Sequence, residues 1–91
     1  MRVKWTSKAL GDIARLYEFL EPVNPIAAAK TVQTLSATPN RIVEQPRIGV
    51  RLDEFEGREV RRLLIGAYEM RYALTLDEIF ILRVWHTREE G

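Results

Sequence analysis

The sequence predicts an α+β fold of residues 1–91 as one domain: an N-terminal strand, a helical hairpin, then a three-stranded antiparallel meander. Three observations predict it. Apolar residues recur at helical spacing through the first half, proline and asparagine break that half into two helices, and apolar and polar residues alternate with period two near Tyr68.

The elements follow in order. Val3 and Trp5 alternate with Arg2 and Lys4, so the chain opens on a short strand. Thr6 and Ser7 offer N-caps to a helix whose apolar stripe is Leu10, Ile13, Tyr17 and Leu20. Leu16 and Phe19 widen that stripe beyond what packing on a sheet needs. Pro22 ends the helix, and Asn24 with Pro25 supplies an N-cap and a preset first position for the next. Ala28, Val32 and Leu35 continue a helical face that Ile42 or Val43 extends. Pro39 lacks a backbone donor and predicts a kink or break, with Thr38 as a new N-cap. Pro46 and Gly49 close the helical half. Val60 to Ile65 reads as a strand ending at Gly66. Tyr68, Met70, Tyr72 and Leu74 then alternate with Glu69, Arg71, Ala73 and Thr75, and Asp77-Glu78 turns the chain into a last strand, Ile79 to Trp85. Period two places Phe80, Leu82, Val84 and His86 on one face, the first three as core. Arg83 and Trp85 fall on the opposite, open face.

Composition narrows the function. Ninety-one residues, 46% of them hydrophobic, suffice for one modest core and exclude a second catalytic domain. The net charge of +1 is spread evenly, six Lys/Arg against four Asp/Glu in residues 1–46 and eight against nine in 47–91, which excludes a polycationic nucleic-acid binder. From Arg47 onward every cation is arginine, a planar fork suited to carboxylate, phosphate and stacking. Cysteine is absent and histidine occurs once, which argues against a disulfide framework, a thiolate nucleophile or a structural metal, and no cofactor is expected. The start MRVKWTSKAL lacks a signal-peptide core, and no run reaches the roughly 18 apolar residues of a membrane span. A cytoplasmic protein is expected.

The stretches VKWTSKAL, NPIAAAKTV, EQPRIGVRL, VRRLLI, YEMRYAL and ILRVWHTRE, in this order and spacing, cover almost the whole chain. In them the sequence resembles the RelE/ParE superfamily of type II toxin–antitoxin toxins, and is most similar to the ParE branch. The resemblance implies a helical hairpin on an antiparallel sheet and inhibition by a cognate antitoxin. It further implies that this antitoxin is a ribbon-helix-helix protein of ParD type, through which alone operator DNA is bound. Two activities divide the superfamily: ParE-like toxins poison DNA gyrase, and RelE-like toxins cut mRNA on the ribosome.

Metal-free RNA cleavage needs a proton acceptor for the 2′-hydroxyl, cations for the phosphorane and an acid for the leaving oxygen. Arg61 or Arg62, Arg71 and Arg83 offer charge, and His86 is the candidate acid or base. No lysine follows Lys30, no tyrosine follows Tyr72, and Glu89 and Glu90 repel a phosphate backbone, so a gyrase-binding toxin without catalytic residues is the leading expectation. The candidate target-binding residues are Arg62, Arg71, Arg83, Trp85, His86 and Arg88; a ribosome-dependent nuclease would use Arg62, Arg83 and His86. Arg62 and Arg83 also have a structural reading as ion-pair partners of Glu59 or Glu69, and His86 one as a strand-end hydrogen-bonding group. Leu16, Phe19 and Leu20 are the candidate antitoxin-binding residues. With Leu16 beyond the stripe the sheet needs, Leu16→Glu is expected to loosen the antitoxin more than it lowers stability.

Overall fold

The structure, a computed structural model, describes residues 1–89. Its elements are β1 (Arg2–Trp5), α1 (Ser7–Leu20), α2 (Pro25–Ala37), α3 (Pro39–Glu44), β2 (Val50–Arg51), β3 (Glu59–Ile65), β4 (Tyr68–Leu74) and β5 (Glu78–His86). The strands form one sheet in the order β1-β5-β4-β3-β2. β3, β4 and β5 are the antiparallel meander, and β1 pairs in parallel with the far side of β5. The α+β class is as expected, but the sheet gains a fifth strand. β2 is two residues long, too short to show alternation, and is pinned to β3 through Val50↔Arg62, Arg51↔Arg61 and the Leu52 amide on the Val60 carbonyl.

Local chemistry fixes the hairpin. The Thr6 hydroxyl oxygen accepts the Ala9 amide and Asn24 Oδ1 accepts that of Ala27, which closes otherwise orphaned donors at each helix start. At Thr38 the chain stays helical, φ −57° and ψ −38°, yet the ladder is interrupted because Pro39 has no amide hydrogen. Thr38 takes the N-cap position of α3, as expected, but its side chain caps no amide there. Its hydroxyl donates to the Thr34 carbonyl one turn back.

The helices cover one face of the sheet. Leu16, Leu35 and Ile42 meet Leu63, Met70, Tyr72, Ile79, Ile81 and Val84 in a single buried cluster, with Trp5 packed against it. The buried side of α1 is Ala9, Asp12 and Leu16 rather than the predicted stripe, and Leu10 and Tyr17 face solvent. Ala9 is small enough for close approach of helix to sheet, and Asp12 is drawn inward by Arg83 and Val84. Leu16 is thus core, 3% exposed, and its predicted place outside the core is corrected. Replacing it with glutamate would bury an unpaired charge.

The predicted facing of β5 holds from Arg83 to His86 and is corrected before them. Arg71 pairs with Arg83 but its neighbour Tyr72 pairs with Ile81, so Leu82 is an extra residue, a β-bulge. A bulge shifts the parity of everything beyond it. Ile79 and Ile81 before it, and Val84 after it, all point into the helix-side core, whereas Phe80 and Leu82 are only half-buried. A single alternation cannot describe both halves of the strand.

Candidate partner-binding surfaces

Cross-strand partners share a face, so the register assigns Arg62 on β3, Glu69 and Arg71 on β4, and Arg83 and Trp85 on β5 to the side of the sheet away from the helices. They touch in sequence. Glu69, largely buried, accepts Arg62 Nη1 at 3.4 Å and Arg71 Nε at 3.0 Å. The Arg71 guanidinium lies 4.9 Å from the centre of the Trp85 ring and that of Arg83 lies 5.5 Å from it. Each guanidinium is attracted by the quadrupole of the indole ring, which helps hold both arginines in place. Arg62 and Arg83 stay about two-fifths exposed, so each fork is anchored at one edge and open at the other.

Asp12 anchors the far end of this row. Its carboxylate accepts Arg83 Nε at 2.8 Å, Arg83 Nη2 at 3.1 Å and the Val84 amide at 2.9 Å, with Arg15 at 3.6 Å. Parallel pairing of β1 with β5 stops at Trp5↔Ile81, where Thr6 turns the chain into α1. The outer edge of β5 beyond that point would be bare, and the Asp12 carboxylate on α1 replaces the missing strand at Val84. Burial pushes the Asp12 carboxyl up, but hydrogen bonds from Arg83 and Val84, with the charges of Arg83 and Arg15, outweigh it and hold the group below the usual carboxylate range.

His86 and Arg88 do not join the arginine row. Beyond the bulge His86 falls on the helix side, where its ring meets that of Tyr68 edge-on with centres 5.3 Å apart. A groove of about 540 Å³ opens there between α1 and the end of β5, lined by Leu16, Phe19, Leu20, Tyr68 and His86 and rimmed by Arg15, Arg88 and Glu89. His86 Nδ1 accepts the Arg88 amide at 3.1 Å. The predicted target-binding set is therefore divided, with Arg62, Arg71, Arg83 and Trp85 on the open face and His86 and Arg88 in the groove beside all three candidate antitoxin-binding residues. Phe19, 76% exposed, contributes most freely.

Of the predicted structural pairs, Arg62 does meet Glu69, while Arg83 pairs with Asp12 and Glu59 holds Arg47 and Arg61 instead. The hydrogen bond from Arg61 holds the Glu59 carboxyl below its ordinary range, against a smaller opposing effect of burial and with further help from Arg47. Glu90 lies outside the described residues. Sequence reasoning missed Asp12 and Arg15, and read Glu89 only as a repulsion for phosphate. Asp12 had a signal: it lies between Ala9 and Leu16 at helical spacing, so a carboxylate shares the buried side of α1. Among the described residues no cluster of metal-ligating side chains occurs, and no helix is long and apolar enough to cross a membrane.

A helical hairpin on one side of a bulged meander, with the opening strand parallel to the last, is the fold of RelE/ParE toxins. The profile of the family described as ParE toxin of type II toxin-antitoxin system, parDE, matches residues 3–91, and the chain belongs to that family. Among curated relatives, Toxin RelE2 of Caulobacter vibrioides is 27% identical over 85 residues, 93% of each chain. Among solved structures, the chromosomal ParDE toxin–antitoxin system from P. aeruginosa aligns with a TM-score of 0.79 and 28% identity, over 94% of this chain and 95% of that one. The toxin–antitoxin complex RelBE2 from Mycobacterium tuberculosis aligns with a TM-score of 0.60 over 93% and 95%, and at 23% identity shares the fold. The protein is a type II toxin of the RelE/ParE superfamily. The names of its relatives fall in both branches.

Proposed function

We propose that this toxin arrests growth in the cytoplasm by binding DNA gyrase through the arginine row of the sheet, without cutting RNA, and that a cognate ParD-like antitoxin with a ribbon-helix-helix operator-binding part neutralises it. The observation that carries the reading is the separation of His86 from Arg62 and Arg83. A metal-free ribonuclease needs a proton-transferring group within hydrogen-bond reach of the phosphate its cations hold. Here His86 lies on the other side of the sheet, and Arg62, Arg71 and Arg83 each rest on a carboxylate. Partly satisfied guanidinium forks around a buried indole suit a protein surface, where arginine and tryptophan anchor interfaces.

Purified toxin tests this directly. Inhibition of plasmid supercoiling by gyrase, with transcripts intact in a coupled translation reaction, is the expected result. Codon-phased cuts that vanish in His86→Ala, with supercoiling unaffected, would overturn it in favour of the ribosome-dependent nuclease.

A further inference from the structure

Once β1 leaves the sheet, the outer edge of β5 presents the amides of Val84 and His86, two residues apart. Asp12 closes the first from α1 and is itself buried and fully engaged. The second is closed differently. Glu89 Oε1 accepts the His86 amide at 2.7 Å, and Glu89 Oε2 accepts Arg15 Nη1. A backbone amide and a guanidinium thus converge on one carboxylate at the mouth of the groove floored by Leu16, Leu20 and Tyr68. That carboxylate comes from an exposed residue at the end of the described chain, only three positions past the amide it caps.

We propose that this groove is a receptor for an acidic, aliphatic peptide segment of a partner protein, and that Glu89 stands in the free chain where the segment's carboxylate binds. Charge favours such an occupant. Among the described residues, Arg15 and Arg88 rim the groove against one acid, Glu89, while Asp12 is spent on Arg83 and Val84. The apolar floor takes an aliphatic side chain, exposed Phe19 closes over it, and an incoming carboxylate displaces Glu89 from Arg15 and the His86 amide. The toxin–antitoxin reading supplies only the identity of the natural partner, the antitoxin.

The test needs no antitoxin. An acetylated and amidated hexapeptide Ser-Leu-Leu-Glu-Leu-Ser and its glutamine counterpart are titrated into the ¹⁵N-labelled full chain. The glutamate peptide is expected to shift the amides of Leu16, Phe19, Tyr68 and His86 and to bind about fivefold more tightly than the glutamine peptide, the strength of one half-exposed charge-assisted contact. Glu89→Gln, which removes the competitor, tightens glutamate-peptide binding about fivefold, and Arg15→Gln abolishes the preference. Equal affinities of the two peptides for both the wild type and Glu89→Gln, or shifts confined to Arg62 and Arg71, would overturn the proposal. Growth arrest by the same variants reports separately on the toxin reading.

Discussion

Asp12 has two tasks at once, because one buried carboxylate caps a sheet edge and anchors an arginine. Asp12→Ala leaves the Val84 amide without a partner and frees Arg83, which still reaches water, so a loss of about 2 kcal/mol is expected in urea denaturation at neutral pH. The dependence on pH comes from the depressed carboxyl. The Asp12 contribution is fully present above the unfolded carboxyl's value, near pH 4, and is lost as pH falls through the lower folded value. The gap in stability between wild type and Asp12→Ala should therefore be flat above about pH 5 and narrow toward pH 2. Two apolar residues of α1 separate stability from binding. Leu16→Glu should cost about 3 kcal/mol or more and unfold much of the population at 37 °C. Phe19→Ser should stay within about 0.5 kcal/mol of wild type in denaturation while weakening capture of the antitoxin in calorimetry.

At the scale of the elements, the bulge at Leu82 and the loop between α3 and β3 set the faces of the sheet. Deleting Leu82 removes the bulge and leaves Ile79, Ile81 and Val84 at alternate positions of a regular strand, so all three keep facing the core in the same register against β4. We expect the shortened chain to keep a dispersed amide spectrum at 25 °C, and a deletion variant that fails to fold would refute this account of the strand. The loop is held from beneath by Tyr72, fully buried, whose hydroxyl donates to the Pro46 carbonyl at 2.8 Å and accepts the Gly49 amide at 2.9 Å. Burial pushes that hydroxyl above its ordinary range, only partly offset by the Gly49 amide and Arg61. Gly49 is required by proximity: a Cβ there would lie 2.6 Å from the Arg62 carbonyl oxygen and 2.9 Å from the Tyr72 ring. Gly49→Ala should thus displace β2 and lower stability by about 2 kcal/mol, measured by thermal unfolding, because the nearest atom is backbone and cannot step aside.

For the whole molecule the consequence is two surfaces on opposite sides of one sheet, the arginine row and the apolar groove, joined through α1 by Asp12 and Arg15. Substitutions should divide along that line. Arg71→Ala with Arg62→Ala should abolish growth arrest while the chain still copurifies with its antitoxin. Phe19→Ser should do the reverse, leaving a toxin that the antitoxin restrains poorly. Both are read in one assay, colony growth with and without antitoxin expression. If both variants lost both properties, the surfaces would not be independent.

Much of this architecture is legible in the sequence for a local reason. Caps, prolines and the alternation around Met70 act over a few residues, so the hairpin, the meander and the core roles of Met70, Tyr72 and Leu74 are set by neighbours in the chain. The candidate site is legible as a set of residue types and only partly as a place. Arg62, Arg71, Arg83 and Trp85 do gather, and His86 lies across the sheet from them by the plain alternation that already set it beside Val84; that Arg88 follows it into the groove is reported by no local pattern. Leu16 reads as surplus on the helix when the stripe is drawn through apolar residues alone, because the buried side that Leu16 shares with Ala9 also carries a carboxylate, Asp12, whose partners Arg83 and Val84 lie far along the chain. By itself the sequence determined the class of fold, the order of the elements and the family, all of which rest on local propensity and ordered motifs. Tertiary structure alone decided which carboxylate caps which amide and which arginine it holds. These depend on pairings of Asp12 with Val84 and Arg15 with Glu89, more than seventy positions apart, whose geometry exists only once the chain has closed on itself.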